Sequence, residues 1–590
     1  MRKLSIINFK GTRRSACCKY YMTYIVPLIM NQPNLCSPLI YIKNHIRGYS
    51  SADYRQDVLA GFIVAAVLLP QAMAYALMAN VAPIYGVIAS LLPLVIYALV
   101  GSGRAISVAP VAIIAAMTGD VVFLFPDYPP IVVAYHLSAL IGIFLCLLGV
   151  FRLSGVSQLL SDSVVKGFTS ASVVLIIVGQ LRYLAQLDIE RGEHLGQTLL
   201  NLFSALPQLN GLSLVLGCLV LASLLLVQWR VKALWAKALP LVWLLGLMLV
   251  IANSRVLQNE LWLVSAFDIK SLDYSHIALS LDLAKQLAVH AVVIGLVIYL
   301  ESMAVGNELA AEKRERLEPQ RELWGLGLAN LVAGASLTLP VAAGIGRSAL
   351  NARSGAQSGL ASLVTAAVLL MVLLFMGELM QWLPYTLLAA ISIYAVLPLF
   401  KVADIWRIWR FNRADGITAV FTFVTVLTVG IAQGLVIGIG VSLLLFLYRS
   451  GHPHIAIVGR LGDSEHFRNI ERHPVTTYSD VLLIRVDESL YFANCRLVEN
   501  FVLDAVSRYP ESKHVVLIFS AVNYVDASAV ETLSLLHHNL EKGGRQLSLA
   551  EVKGPVMDKL RHTRFLTTLG ESHVFVSVDK AICKLIQVPS

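Results

Sequence analysis

The sequence predicts a polytopic α-helical membrane protein that ends in a small cytoplasmic α/β domain. Three observations carry this prediction. The 590 residues are 57% apolar and only 14% charged, with a mean hydropathy of +0.71, whereas a soluble chain would be roughly a quarter charged. Many apolar runs exceed the roughly 18 residues that mark a spanning helix, among them the run holding "VVLIIVGQ" (173–180). Past "YRSGHPH" (448–454) the composition changes abruptly to alternating short strand and helix patterns.

Taken in order, the chain divides into a basic extension (1–49), a transmembrane domain (50–450) and a cytoplasmic domain (451–590). Residues 1–29 make neither a span nor a good signal peptide; Met30 is an alternative start, and no function is assigned before it. Apolar runs then place about fourteen spans, near 58–78, 83–101, 109–124, 131–151, 163–181, 211–230, 238–254, 288–311, 320–337, 344–355, 358–378, 383–400, 415–431 and 433–449. The third and tenth are short for crossing ~30 Å of hydrocarbon. Loops that this count makes cytoplasmic carry Arg104; Arg152 and Lys166; Arg230, Lys232 and Lys237; Lys313, Arg314, Arg316 and Arg321; and Lys401, Arg407, Arg410 and Arg413. The opposite loops hold little besides Arg182, Arg191, Arg255, Lys270 and Lys285. The positive-inside rule therefore supports a multi-pass protein of the cell (inner or plasma) membrane with both termini cytoplasmic.

In the last domain, "DVLLIRV" (480–486), "HVVLIFS" (514–520) and "RQLSLAEV" (545–552) read as strands, and 496–506, 529–540 and 554–566 have helical periodicity. The seven cysteines (Cys17, Cys18, Cys36, Cys146, Cys218, Cys495 and Cys583) show no metal or disulfide spacing. No nucleotide loop, metal cluster or nucleophile–base pairing suits catalysis. The expectation is a non-enzyme with no cofactor, no metal and no nucleic-acid partner.

Two segments stand out. "SVAPVAIIAAMTG" (107–119) opens the third span and "LTLPVAAGIGRSA" (337–349) opens the tenth, each with a β-prone run, Pro-Val-Ala and then small residues. Short, interrupted segments at matching places in two halves are the sequence mark of a transporter binding site. A helix that starts inside the membrane offers free N–H groups and the positive end of its dipole. Pro110 and Pro340 suit a first turn, and two such starts meeting near the midplane suit an anion. Arg347, in an apolar stretch, is paired, snorkelling or functional. With a helix starting at Pro340 it lies two turns in, able to lend its field to an anion. The alternative is two kinked continuous helices packed through small residues.

Glu301 sits deep in the eighth span, and Glu308 follows on the same face nearer the basic loop. Desolvation penalises a charged carboxylate at that depth. Glu301 is thus a proton-coupling or substrate-linked group, or else a structural partner for an arginine such as Arg347. In "LLPQAMAYALMANVAP" (68–83), Pro70 would loosen the first span, and Gln71 and Tyr75 share one face.

These segments resemble a known family. "PQAMAYALMANVAPIYGVIASLLPLVIYALVGSGRAISVAPVA" (70–112), "VVKGFTSASVVLIIVGQL" (164–181) and "LESMAVGNELAAEKRERLEPQRELWGLGLANLVAG" (300–334) are similar, in order, to the SulP (sulfate permease) family of anion permeases, which includes pendrin and prestin. "FANCRLVENF" and "VVLIFSAVNYVDASAVETL" resemble its C-terminal STAS domain. The resemblance implies fourteen spans in two inverted seven-span repeats with core and gate subdomains, elevator-type alternating access and a homodimer. It implies substrate binding at Gln71, Tyr75, Pro110, Val111, Ala343, Gly344, Ile345, Gly346 and Arg347, with Glu301 as the coupling carboxylate. Many relatives read Pro-x-Thr-Gly-x-Phe-Ser-Arg-Ser in the tenth span, whereas Ala342, Ile345 and Gly346 stand here for the threonine, phenylalanine and serine. The site then leans on backbone N–H groups and Arg347. The sodium-coupled branch has a second acid where this chain has Val305, which favours protons over sodium. "DASA" (526–529) aligns with a phosphorylated loop of related antagonists, so Ser528, beside Asp526, is a candidate regulatory residue, unless the pair only caps a helix.

The expected function is proton-coupled transport of a small anion, inorganic or organic: sulfate, bicarbonate or a small dicarboxylate. The alternatives are a nucleobase-type permease of the same fold, or a sensor whose STAS domain recruits a cytoplasmic protein partner. Membrane lipid is the remaining partner.

Overall fold

The computed structural model describes residues 49–158, 161–189, 195–231, 238–264, 280–313 and 316–586. The expectations for residues 1–29, Met30, Arg191, Lys232, Lys237, Lys270 and Arg314 lie outside them. The chain forms two compact units, 1–439 and 440–590.

Helices of the first unit follow the apolar runs in order: α1 (Ser51–Met78), α2 (Pro83–Ala89), α3 (Leu92–Val100), α4 (Ala112–Leu124), α5 (Pro130–Val150), α6 (Asp162–Leu184), α7 (Leu195–Ala205), α8 (Gly211–Arg230), α9 (Leu239–Ala252) and α10 (Arg255–Glu260). They continue with α11 (Leu281–Lys313), α12 (Pro319–Ala335), α13 (Ile345–Arg353), α14 (Leu360–Met376), α15 (Tyr385–Val396), α16 (Val402–Phe411), α17 (Arg413–Val429) and α18 (Ile431–Gly451). Each expected span is helical, and eight of these segments are long and apolar enough to cross a membrane. A capping box starts α1: Ser50 Oγ accepts from the Asp53 N–H at 3.2 Å, and Asp53 accepts from the Ser50 N–H at 2.8 Å. Pro70 does not break α1, which runs unbroken to Met78.

Packing is closest between α5 and α12, where glycines remove the side chains that would hold the backbones apart. A Cβ on Gly142 would stand 2.5 Å from the Leu331 nitrogen, and one on Gly334 would stand 2.7 Å from the Ala139 nitrogen. Two buried carboxylates tie loops to helices with neutral donors. Glu322 accepts from Tyr97 Oη (2.7 Å), Ser102 Oγ (2.6 Å) and the N–H groups of Ser102 (2.9 Å) and Gly103 (3.2 Å). Asp57 accepts from Tyr49 Oη, Ser358 Oγ and the N–H of Gln357, capping the approach to α14.

Two short strands, β1 (Val108–Ala109) and β2 (Ala342–Ala343), pair antiparallel, Val108 opposite Ala343 and Ala109 opposite Ala342. Each leads straight into a short helix, α4 after β1 and α13 after β2. The two halves thus present one device in opposite sense.

The second unit is the expected α/β domain. Strands β3 (Ile455–Arg460), β4 (Phe467–Asn469), β5 (Val481–Val486), β6 (His514–Ile518), β7 (Gln546–Ala550) and β8 (Val574–Phe575) form one sheet in the order β4-β3-β5-β6-β7-β8. From β5 to β8 the pairs are parallel, while β3 is antiparallel to both its neighbours. Helices α19 (Cys495–Arg508), α20 (Ala527–Lys542), α21 (Gly554–Arg561), α22 (Arg564–Leu569) and α23 (Val578–Leu585) complete the unit. Four successive buried residues in each of β5, β6 and β7 explain their near-continuous apolar sequences. Asp526 caps α20 with one oxygen, accepting from the Ala529 N–H at 2.8 Å, and accepts from the Phe492 N–H at 2.9 Å with the other. Ser528 is exposed in the first turn of that helix.

At the end of β5, Arg485 Nε donates to Asp487 at 2.5 Å, and His454 Nδ1 lies 2.8 Å from the same carboxylate. Burial pushes the Asp487 carboxyl up, but these hydrogen bonds outweigh it and hold it below the usual carboxylate range. The resulting stabilisation is full above the unfolded-state value of about 3.9 and fades as pH falls through the lower folded value. Asp487→Asn should therefore flatten the acid limb of the melting profile of this unit. A thermal-melt series on the full chain across that range checks it, and an unchanged acid limb would remove the carboxylate's role.

Candidate functional site

The β1–β2 pair and the two helix starts that follow it form the centre of the first unit. Extended backbone inside a membrane must be paired within the protein, and here side chains and the opposite strand take up much of it. The Gly344 N–H donates to the Ser107 carbonyl at 3.2 Å, and the Ser107 N–H donates to Ser348 Oγ at 3.0 Å. Ser302 Oγ on α11 accepts from the Ala343 N–H at 3.1 Å. Asn330 on α12 clamps Val341 from both sides: its Nδ2 donates to the Val341 carbonyl and its Oδ1 accepts from the Val341 N–H, both at 2.9 Å. Ser138 Oγ on α5 donates to the Thr338 carbonyl at 2.8 Å.

Arg347 differs from expectation in its place. The helix begins at Ile345, not at Pro340, because Pro340 to Ala343 is held extended by β1 and Asn330; Arg347 is therefore in the first turn of α13. Its side chain is 3% exposed and turns back on β1, with Nη1 donating to the Pro110 carbonyl at 2.7 Å and Nη2 to the Ala109 carbonyl at 3.3 Å. The buried Nε has no partner. The guanidinium also explains Gly344, since a Cβ there would lie 2.8 Å from Arg347 Cζ.

Neither helix start is capped by a side chain. Val111 precedes α4 and Gly344 precedes α13 in extended conformation, and no side chain accepts from the first N–H groups of either helix. Uncapped starts at this depth leave donors for a ligand. Beside them lies a cavity of about 630 Å³, lined by Ile113 of α4, Ile345 of α13, Glu301 and Asn307 of α11, and Phe168 and Thr169 of α6. It extends to Ser154, Gly155, Asp162 and Pro319, next to the basic loops. Glu301 Oε2 is buried without a hydrogen-bond partner, and the carboxylate forms no ion pair with Arg347.

The structure therefore brings Glu301 and Ile345 to the cavity, with Gly346 exposed beside them. Pro110, Val111, Ala343, Gly344 and Arg347 form the buried wall behind the helix starts. Gln71 is half-buried and Tyr75 is 6% exposed; both sit on α1 rather than in the cavity lining. Tyr75 packs in one apolar cluster with Val111 and Ala112. Glu308 is exposed and Val305 buried. Among the two lost hydroxyl positions, Ala342 is fully buried in β2, while a Cβ on Gly346 would meet nothing within 4 Å.

Sequence reasoning passed over Asn330, Ser302 and Ser348. Each is a small polar residue inside an apolar run, and the only signal was that such a residue needs a partner there. Asn330→Leu should leave both polar groups of Val341 buried and unpaired, a loss on the order of 2–5 kcal/mol. The melting temperature of the solubilised protein reads this, and a drop within a degree of wild type would show that the clamp is dispensable.

Comparisons with known proteins agree with this architecture. The family model of the sulfate permease family matches residues 54–422, and that of the STAS domain matches 473–581. The chain is 31% identical over 559 residues to a protein of Arabidopsis thaliana named probable sulfate transporter 4.2, covering 91% of this chain and 82% of that one. To a probable sulfate transporter of Mycobacterium tuberculosis it is 28% identical over 544 residues, covering 91% and 96%. The murine solute carrier 26 family member A9 anion transporter, solved in an inward-facing state, shares the fold over 100% of both chains with a TM-score of 0.87 at 19% identity. The transmembrane domain of a cyanobacterial bicarbonate transporter matches with a TM-score of 0.55 at 18% identity, over 66% of this chain and 97% of that one.

Proposed function

The chain belongs to the sulfate permease family, and on that premise we propose that it is a secondary active transporter of a small anion, sulfate first, coupled to protons through Glu301. The observation that carries the reading is the pair of uncapped helix starts beside a cavity that also holds a carboxylate. Two positive helix ends suit a tetrahedral or planar oxyanion, whose oxygens accept from several N–H groups at once. Names of relatives in two organisms add sulfate to that chemistry. Bicarbonate and small dicarboxylates remain the competing substrates.

Arg347 contributes through the wall it braces. Its guanidinium occupies the carbonyls of Ala109 and Pro110, which would otherwise turn negative ends toward the anion. Tyr75 supports the same wall from α1, with Gln71 one turn before it on that helix as a further polar contact for the anion. Glu301, facing the cavity without a cation bound to it, is placed to take up a proton when an anion enters, so that charge is balanced. That the cavity reaches the basic-loop end supports reading it as the cytoplasm-facing state of an elevator-type cycle. Residues 50–450 are the transport domain, working as one protomer of a homodimer in the cell membrane, with both termini and the 451–590 domain cytoplasmic. That last domain is the site for control by a protein partner or at Ser528. A neutral nucleobase would gain little from two helix dipoles, which disfavours the permease alternative. Removing residues 455–590 distinguishes a transporter, which keeps anion binding, from a sensor, which loses its phenotype.

Uptake of labelled sulfate, bicarbonate and succinate into proteoliposomes, with and without an inward proton gradient, tests the reading. The gradient should drive uptake, and Glu301→Gln should abolish that dependence. A mutant still driven by the gradient would end the role given to Glu301. Gly346→Ser has room for its side chain and adds a hydroxyl donor at the helix start, so it should lower the KM for sulfate several-fold; an unchanged KM would place the anion elsewhere.

A further inference from the structure

We infer that α16 (Val402–Phe411) is an interfacial helix that binds anionic phospholipid, and that the lipid it holds steadies a wall of the large cavity. The inference goes beyond the transport reading, and its binding half stands whatever the chain transports.

Helix α16 is a rod separate from its neighbours. Phe400 and Lys401 leave the helical conformation before it, and Asn412 is extended after it, with φ −145° and ψ 117°. Asn412 Oδ1 then starts α17 by accepting from the Ala414 N–H at 3.0 Å. Its ten residues rise about 15 Å, half of what ~30 Å of hydrocarbon requires. The rod is firmly seated nonetheless. Ile405 is buried, and a Cβ on Gly416 would stand 2.7 Å from Trp409 Cα, so α16 and α17 meet at a tight corner.

The face that α16 leaves uncovered suits a membrane surface. Val402, Trp406 and Trp409, spaced i, i+4, i+7, share one side of the helix and are exposed, Trp406 by 60%. On α17, Ile417, Val420, Phe421 and Val424 repeat that pattern and are exposed as well. The apolar face of an expected span thus begins within a few residues of the strip. Cations border it. The Arg410 guanidinium stands over the Trp406 ring, 5.4 Å from its centroid, and Arg407 lies 3.3 Å from Asp404. Lys401 and Arg413 are exposed at the two ends. Asp404 is the one acid within 401–413, and Asp415 follows in the first turn of α17. On α6, which packs against α16, Asp162 and Lys166 pair at 2.6 Å and cancel. Tryptophan seats at the headgroup level and arginine pairs with the phosphodiester beside it. A choline headgroup balances its own phosphate, whereas a glycerol headgroup leaves a net negative charge for the arginines, so the strip selects anionic lipid.

The seat bears on the cavity through two neighbours. Directly before α16, the helical turn Leu397–Leu399 places Leu399 in the lining of the large cavity, and α6 contributes Phe168 and Thr169 to the same lining. Lipid that fixes α16 therefore fixes two parts of one wall.

Thermal melts of the full chain in detergent, with phosphatidylglycerol or phosphatidylcholine added, test the binding. Phosphatidylglycerol should raise the melting temperature by several degrees and phosphatidylcholine should not. The double variant Arg407→Gln, Arg410→Gln should lose most of that rise, while lysine at both positions should keep it. Trp406→Ser, at an exposed site, is a second arm and should lose part of it. Equal responses of the wild type to the two lipids, or a full response in the glutamine pair, overturns the site. Glycerol phosphate in place of lipid should shift nothing; a full shift would mean a site for free phosphate and would also overturn it. So would a glutamine pair that turns monomeric yet keeps the lipid response, since the strip would then belong to a second copy. In proteoliposomes, labelled sulfate uptake should rise several-fold as phosphatidylglycerol replaces phosphatidylcholine. The glutamine pair should stay at the phosphatidylcholine rate, and a wild-type rise in that variant ends the link to the cavity. Glu301→Gln separates the two proposals, because it should lose the gradient dependence and keep the lipid-dependent melting shift.

Discussion

The rest of the transmembrane unit depends on one pairing, the antiparallel contact of Val108–Ala109 with Ala342–Ala343. Extended backbone has no water to turn to inside a bilayer, so each strand exists only because the other is there. Two residue pairs make up so short a ladder, and the protein supplements it with side chains from three other helices: Ser302 on α11, Asn330 on α12 and Ser138 on α5. The two helices that follow inherit their positions from this pairing. Their uncapped first turns meet beside the cavity because the strands cross, not because either helix is long or strongly packed on its own.

Electrostatics at this crossing are settled by the backbone more than by charged side chains. Arg347 donates to two carbonyls of the opposite strand, and Glu301 Oε2 has no hydrogen-bond partner. Arg347, the one buried arginine among the described residues, therefore neutralises local carbonyl dipoles. Glu322 and Asp57 show the contrasting arrangement, in which a buried acid is saturated by hydroxyl and N–H donors and only holds structure. The number of partners, rather than depth alone, separates a structural carboxylate from a reactive one.

Much of this was legible in the sequence. The spans, the strand–helix alternation after residue 450 and the duplicated Pro-Val-Ala breaks follow from hydropathy, period and small-residue content. What the sequence did not reveal is register. A helix start at Pro340 satisfied every local rule, yet pairing with β1 extends the chain for several more residues and brings Arg347 into the first turn. Tertiary pairing overrode a local preference, as it commonly does for proline, which suits both a first turn and an extended segment. Asn330 and Ser302 escaped notice for another reason: a lone polar residue in an apolar run does not say which neighbour it faces. Pro70, expected to loosen the first span, sits inside a helix that is continuous from Ser51 to Met78.

The bonds around Val341 and Ala343 also bear on what can move. Asn330, Ser302, Ser138 and Ser348 each bridge from one element to another, and together they rivet α5, α11, α12 and α13 to the strand pair. Breaking any of these bonds in hydrocarbon would orphan a polar group, so the riveted elements behave as a single casting. The cavity walls contributed by α6 and α18 carry no such rivet to the strands among the described residues. On the transport reading proposed above, sliding would fall to that apolar seam, where surfaces can exchange neighbours without stranding a single hydrogen bond.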